Sequence, residues 1–371
     1  MSRKKIFTIV LILFVLAGTS LAVYNFVLKT NEGPTQREGD GTQNQTVLTA
    51  KPISQDKAFA LAVGDDDLTI KYYLVRNGHV VSSDFDGNVI EPLSTSDLSG
   101  LVSVLWSPDR KKVIGVFKNQ GTTKKWFYDH STKQSSLLPA DAKEIAWSPD
   151  SKKIAYQYAT SDGQYNNISV ADANGANWRS IFQTRLENLK IEWPSPAKIY
   201  ALSPPSSQQE GTIFAIDAAT GASNKILSGV WGLEAKWSPD GQKFIYSASD
   251  QKGKNLKLFV ASSDGTQPKE LPAATLAEKC VWSGDSQTIF CAVPQEISQY
   301  QIWPDDYISG NIIIKDDIYL IDTSTQKGTK IAQPDNEQSF DAQNLVLSPQ
   351  GDYLFFINRV SGLVYNVQLN L

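Results

Sequence analysis

Past residue 30 the chain alternates short apolar runs with polar turns, and no stretch repeats apolar residues at helical spacing. Trp126-Phe127-Tyr128, Ile168-Ser169-Val170, Ile213-Phe214-Ala215-Ile216, Leu258-Phe259-Val260 and Ile318-Tyr319-Leu320-Ile321 each run into a turn that opens on Asp or Ser-Asp. Asp84-Phe85-Asp86-Gly87, Asp172-Ala173-Asn174-Gly175, Asp217-Ala218-Ala219-Thr220-Gly221 and Ser263-Asp264-Gly265 are hairpin turns of the Asp/Asn-Gly kind. Asp129-His130-Ser131-Thr132 and Asp322-Thr323-Ser324-Thr325 take the same place without the glycine. These are strands joined by tight turns.

A second turn recurs between them. Trp106-Ser107-Pro108-Asp109, Trp147-Ser148-Pro149-Asp150, Trp237-Ser238-Pro239-Asp240-Gly241, Trp282-Ser283-Gly284-Asp285 and Leu347-Ser348-Pro349-Gln350-Gly351 repeat one theme, with Trp193-Pro194-Ser195-Pro196 as a degenerate copy. Successive copies lie 41, 46, 44, 45 and 65 residues apart. Ser at the first turn position, Pro at the second and Gly at the fourth suit a type I turn, so the repeated serine reads as scaffold and not as a nucleophile. Each unit therefore has four strands, a to d, with the Ser-Pro-Asp turn joining a to b and the Asp turn joining c to d. Four short strands every 40–45 residues predict the blades of a β-propeller.

The repeated Trp-Ser-Pro-Asp-Gly units resemble the WD-like propeller repeats of the TolB type, shared with the propeller of prolyl oligopeptidases; the resemblance covers roughly residues 58 to 371. It implies an all-β propeller that binds proteins of the cell envelope. The count is seven blades, with six and eight open, because Ala58 to Val63 can supply a first a strand and the unit from Asn344 to Leu371 lacks its outer strand. Thr46-Val47-Leu48-Thr49 is expected to add that strand and close the ring, removing exposed sheet edges.

The first residues change the picture from a soluble domain to a tethered one. Residues 6–28 carry no charge from Ile6 to Leu28 and would span about 34 Å as a helix, enough for a bilayer core. Arg3, Lys4 and Lys5 place residues 1–5 in the cytoplasm and the rest outside it. A cleaved signal peptide ending near Ser20-Leu21-Ala22 is the competing reading, disfavoured because the apolar run continues past it. Residues 29–57, rich in Gly, Gln, Asn and Thr, read as a flexible linker before a propeller domain at 58–371. Setting aside the three N-terminal cations, 32 basic residues face 39 acidic ones, and this mild acidity argues against nucleic acid as a partner.

Candidate chemistry is sparse. If Trp282 faces Ile289 across a hairpin, Cys280 faces Cys291 within disulfide reach, while two free buried thiols remain the alternative. His79 and His130 fall on different kinds of turn, too far apart to share a metal, and no Gly-x-Ser-x-Gly elbow is present, so the hydrolase partner of prolyl oligopeptidases is not expected. The acidic groups Asp65-Asp66-Asp67, Asp305-Asp306 and Asp316-Asp317 lack the spacing of a calcium loop and read as solvated turns. No metal or cofactor is expected. The strongest departure from the repeat is an insertion at Pro294 to Lys315, carrying Tyr300, Trp303, Asp305, Asp306, Tyr307 and Asn311. Together with Trp231 on the same face, Tyr300, Trp303, Asp305, Asp306 and Tyr307 are the candidate binding residues, with Tyr300, Trp303 and Tyr307 expected on or over the channel mouth; an extra hairpin capping the channel or extending a blade is the plainer reading of the insertion.

The functional expectation is a single-pass, membrane-anchored, extracytoplasmic, bacterial binding or assembly module of the cell envelope. It would take the membrane through residues 6–28 and an unidentified envelope protein or peptide as partners. An enzyme acting on an envelope glycan or peptide, with acidic residues at the channel, is the alternative.

Overall fold

A computed structural model describes residues 47–160, 162–334 and 339–369, apart from the side chains of 89–91; the expected cytoplasmic stub, membrane span and most of the linker lie outside the described residues. Two short strands open it, β1 (Leu48–Thr49) and β2 (Lys51–Pro52). The first sheet is β3 (Ala58–Val63), β4 (Thr69–Leu74), β5 (Val80–Asp84) and β6 (Val89–Pro92), in that spatial order. The next two are β7 (Leu101–Trp106), β8 (Lys112–Asn119), β9 (Thr122–Asp129), β10 (Ser135–Leu137) and then β11 (Ala142–Trp147), β12 (Lys153–Ala159), β13 (Asn166–Asp172), β14 (Arg179–Phe182). All are antiparallel meanders.

A longer sheet follows, made of β15 (Lys190–Ser195), β16 (Lys198–Leu202), β17 (Glu210–Asp217), β18 (Ser223–Trp237), β19 (Lys243–Ser249), β20 (Lys257–Ser262) and β21 (Lys269–Leu271). Strand β18 pairs with β17 along its first half and with β19 along its second, so it ends one four-strand unit and begins the next. The last units are β22 (Cys280–Trp282), β23 (Thr288–Pro294), β24 (Asp316–Asp322), β25 (Lys327–Gln333) and then β26 (Ala342–Leu347), β27 (Tyr353–Asn358), β28 (Val364–Gln368). Buried apolar side chains of β27 and β28 pack on those of β3, β4 and β5, which returns the last unit to the first and makes the arrangement a ring.

Ring closure differs from the expected form by a few residues. The outer strand beside β28 is β2, with Lys51 opposite Asn366 and Pro52 opposite Tyr365; Ile53 N–H then donates to Val364 O at 2.8 Å, and Val364 N–H to Ser54 Oγ at 2.9 Å. Leu48–Thr49 instead pairs in parallel with Ala332–Gln333 of β25. Pro52, which has no N–H to donate, suits an outermost strand, while Leu48 packs against the cluster of Phe290, Ile331 and Phe356. Residues assigned to the linker thus belong to two sheets.

The repeated turn behaves as its composition dictates. In the Ser107 copy the serine carbonyl accepts Arg110 N–H, its Oγ donates to Asp109 Oδ1 and accepts Lys112 N–H, and the same set recurs around Ser148 and Ser238. The residue after the aspartate has positive φ, +60° at Arg110 and +67° at Gly241, which explains why glycine appears there. The tryptophans join neighbours: Trp106 Nε1–H donates to Ala60 O, Trp147 to Leu105 O and Trp282 to Lys236 O, each a carbonyl of the preceding unit's innermost strand. Trp237 is buried with its ring 4.3 Å from that of Tyr200, inside the cluster between β16 and β19. Cys280 lies opposite Cys291 with Trp282 opposite Ile289, and the two sulfurs are bonded.

Trp237→Ala should cost roughly 3–5 kcal/mol of stability, the usual penalty for deleting a buried aromatic side chain. Chemical denaturation of the variant beside wild type measures it. A near-wild-type midpoint would contradict the placement of this tryptophan in the core.

Candidate functional site

The insertion between β23 and β24 is held from within. It contains one helical turn, α1 (Asp305–Ile308), and crosses to several neighbouring loops. Asp305 accepts Ser207 N–H at 2.7 Å and Ser206 Oγ–H at 3.2 Å; Asp306 accepts Ile302 N–H at 2.7 Å. Trp303 N–H donates to Gly253 O, and Arg359 donates to the carbonyls of Tyr307 and Ile312. The segment is a strap fastened to the loops after β16, β19 and β27.

Two of the expected contact residues are therefore interior. Trp303 is 1% exposed and Tyr307 is buried beside it, their rings 6.0 Å apart, in a small cluster with Leu256, Leu276 and Ile314. Neither side chain is free to meet a partner, because the strap uses its largest aromatics to bury itself. Asp305 and Asp306 are likewise committed to backbone N–H groups. Trp231 is half-buried at the start of the β18–β19 pairing. Tyr300 alone among the expected aromatics is open, at 81% exposure, and Ile297, Ile308 and Ile313 of the same strap are exposed as well.

Beneath the strap lies a charged cluster that the sequence did not reveal. Lys279 Nζ sits 2.8 Å from Asp316 Oδ2 and 2.7 Å from Asp341 Oδ1, all three wholly buried, and also donates to Ala342 O at 3.0 Å. Tyr307 Oη lies 3.3 Å from Lys279 Nζ and donates to Asp341 Oδ1 at 3.2 Å, while Arg359 stacks on the Tyr307 ring at 4.4 Å. Burial pushes the Asp316 carboxyl up to about 6 against the pull of Lys279. Asp316-Asp317 is thus no solvated turn: Asp316 is interior, and Asp317 accepts from Gln295 and faces Lys330. The paired acids open a strand that enters the body of the protein, and partners distant in sequence offset their burial, Lys279 and Ala342 N–H for Asp316 and Lys330 for Asp317.

A cavity lies elsewhere, along the innermost strands. About 640 Å³ is walled by Trp106, Trp147, Trp193 and Trp237 and by the turn prolines Pro108, Pro149, Pro194 and Pro239. The repeated Ser-Pro-Asp turns thus border this hollow. Glu144, Lys190, Glu192 and Lys236 line it. Lys190 and Glu192 pair at 3.1 Å, and Lys236 donates to Cys280 O at 2.6 Å. Glu234, two residues before Lys236, is buried and accepts Glu278 N–H at 3.2 Å. Burial, then the nearby Glu278 carboxylate, raises Glu234 to about 7; burial, then the nearby Lys190 charge, lowers Lys236 to about 8. The signal for this site was present as charges at alternate positions in strands that end on a buried tryptophan, Lys190-Ile191-Glu192-Trp193 and Glu234-Ala235-Lys236-Trp237.

The histidines do not meet. His79 Nε2 lies 2.7 Å from Asp97 Oδ1, whereas His130 stacks on Trp106. Among the described residues no group of three His, Cys, Asp or Glu is placed to hold a metal ion.

No protein-family model matches this chain, and no curated protein sequence does. Solved structures do. An oligogalacturonate lyase in complex with manganese is 12% identical with a TM-score of 0.58, covering 87% of this chain and 90% of that one. The β-propeller domain of Cps50 (Swd1) from Myceliophteria thermophila is 12% identical with a TM-score of 0.54, covering 86% and 100%. TolB from Acinetobacter baumannii is 14% identical with a TM-score of 0.47, and this chain spans 65% of it. At such identities the first two likenesses speak for the fold alone, and the fold is a β-propeller.

A carboxyl raised from 4.5 to about 7 binds protons in the folded state that the unfolded chain has already released, so Glu234 lowers stability as pH climbs through that window. Glu234→Gln should therefore raise the melting temperature relative to wild type at pH 8 and by less at pH 5, a difference on the order of 1 kcal/mol. Thermal melts of both proteins at the two pH values check this.

Proposed function

We propose that this chain is a membrane-anchored, extracytoplasmic, seven-bladed propeller of TolB-like type that binds a protein of the cell envelope through its strap. Seven follows from reading β18 as the outer strand of one blade and the inner strand of the next. The observation that carries the binding role is the division of labour within the strap. Trp303, Tyr307, Asp305 and Asp306 fix its backbone, while Ile297, Tyr300, Ile308 and Ile313 stand exposed on it. Exposed apolar groups on a rigid support lose little entropy on binding, and a tyrosine among them is a frequent anchor of interfaces. The uncharged run at 6–28 behind three cations supports the anchor.

One observation favours the enzymatic alternative. Glu234, held near 7 beside Glu278 and next to the central cavity, is a carboxyl able to give or take a proton at neutral pH. Glycan or peptide turnover lost on Glu234→Gln, with the fold kept, would favour that reading.

Binding is tested with the full-length protein carrying Tyr300→Ser, Ile308→Ser and Ile313→Ser together. These positions are exposed, so its melting temperature should stay within a few degrees of wild type. Envelope proteins recovered with wild type after crosslinking should be lost with the variant; the same set recovered with both would overturn the strap assignment. For the anchor, a reporter active only outside the cytoplasm, fused after Leu371, should be active and remain in the membrane fraction. A shorter soluble form would instead mark cleavage.

A further inference from the structure

Consecutive units of the ring meet through closed apolar clusters, with one exception. Buried clusters join the units from β7–β10 onward in turn, and the last to the first. Among the described residues the junction between β3–β6 and β7–β10 has none. In its place is a partly enclosed cleft of about 350 Å³, lined by Tyr73, Leu101, Phe117, Trp126, Tyr128 and His130 among others.

The smallest of all residues stands at this opening. Counted from the turn, the fourth residue of β4, β12, β19 and β27 is Tyr72, Tyr156, Tyr246 and Phe356, a large buried ring directed into the junction with the preceding unit, while β16 and β23 carry the smaller Ala201 and Cys291 inside closed clusters. In β8 that position is Gly115. Its cross-strand partner is Trp126, which stays 38% exposed. The backbone does not require a glycine there, since Gly115 has no positive φ. A Cβ on it would approach only side-chain atoms, Phe117 Cε2 at 3.0 Å and Leu101 Cδ1 at 3.2 Å.

The lining is also chemically selective. Among the described residues it contains no Asp, Glu, Lys or Arg, so these offer a charged guest nothing to offset its desolvation. It does contain one polar atom in need of a partner. His130 stacks on Trp106 with ring centres 5.5 Å apart and meets Tyr128 edge-on at 4.9 Å, yet its enclosed Nε2 has no hydrogen-bond partner. Burial, reinforced by Lys71 and Lys133, lowers His130 to about 4, which leaves a neutral imidazole at physiological pH. An enclosed, unpaired ring nitrogen is unfavourable until something bonds to it.

We propose that the cleft between β3–β6 and β7–β10 is a binding site for an uncharged aromatic molecule of about two fused rings bearing one hydroxyl. Its ring would lie against Trp126 in the space Gly115 leaves, and its hydroxyl would pair with His130 Nε2. The volume is at the small end for ligand pockets, which excludes oligomeric glycans and peptides from full entry. The site is separate from the strap and from the central cavity, so it stands or falls apart from the proposed envelope role.

The probe is 2-naphthol, titrated by calorimetry into full-length protein in lipid nanodiscs, with empty nanodiscs subtracted. Wild type should bind one equivalent saturably. Gly115→Tyr, which places there the ring found in four of the other units, should keep the melting temperature and weaken binding at least tenfold. His130→Phe preserves the stacked shape and should weaken it about three- to tenfold, the worth of one hydrogen bond. No saturable binding by wild type would overturn the proposal, as would undiminished binding by a folded Gly115→Tyr. Should Gly115→Tyr fail to fold, His130→Phe decides, and unchanged affinity there overturns the site.

Discussion

The structure depends on mutual burial of sheets that have no core of their own. Each four-strand unit is apolar on both broad faces, and its side chains become interior only when a neighbour covers each face. A linear stack would leave two such faces in water. The ring removes both, and it is completed when residues 51–54 lie along β28 while β27 and β28 pack against β3–β5. The tryptophan of each repeat belongs to the same solution. Its ring fills the junction while, in three of the copies, its N–H takes up a carbonyl of the preceding innermost strand. One residue thus satisfies both the apolar and the polar demands of a junction.

Much of this could be read in the sequence because it is local. Period, turn chemistry, strand order and the Cys280–Cys291 register all follow from residues within a few positions of one another. Two things were not local. The closing strand was expected a few residues early, since Leu48-Thr49 and Lys51-Pro52 are both extended-chain sequences, and only the apolar pocket beside β25 and the proline-tolerant edge beside β28 distinguish them. The strap was recognised as a departure from the repeat, but its aromatics were read as contacts. Whether a tryptophan in a loop faces solvent or interior is settled by partners far away in sequence, here Leu256, Leu276 and the Lys279–Asp341 pair.

The same reasoning explains why the polar interior stayed hidden. Lys279, Asp316 and Asp341 are dispersed over some sixty residues and look like surface charges one at a time. With Arg359, 3.6 Å from Asp341, they bring two cations against two carboxylates in the interior, a design that rewards complete assembly and penalises any partial one. The central charges are different. They alternate along innermost strands and face a hollow, so their pattern was visible but its meaning needed the ring. Gly115 belongs with them: conspicuous only when the strands are superimposed, and invisible in composition.

Closure by a segment near the start of the chain has a mechanical side. Tension entering ahead of Val47 would reach the two-residue pairing of Leu48–Thr49 with β25 first, then the hydrogen bonds of Lys51 to Ser54 with β28, before any other sheet felt it. If the chain is anchored ahead of this segment, as proposed, the clasp of the ring is also the point at which load would enter. A pull that lifted this edge strand would then open the ring at the junction of last unit and first, so the fold would yield to force at its own closure.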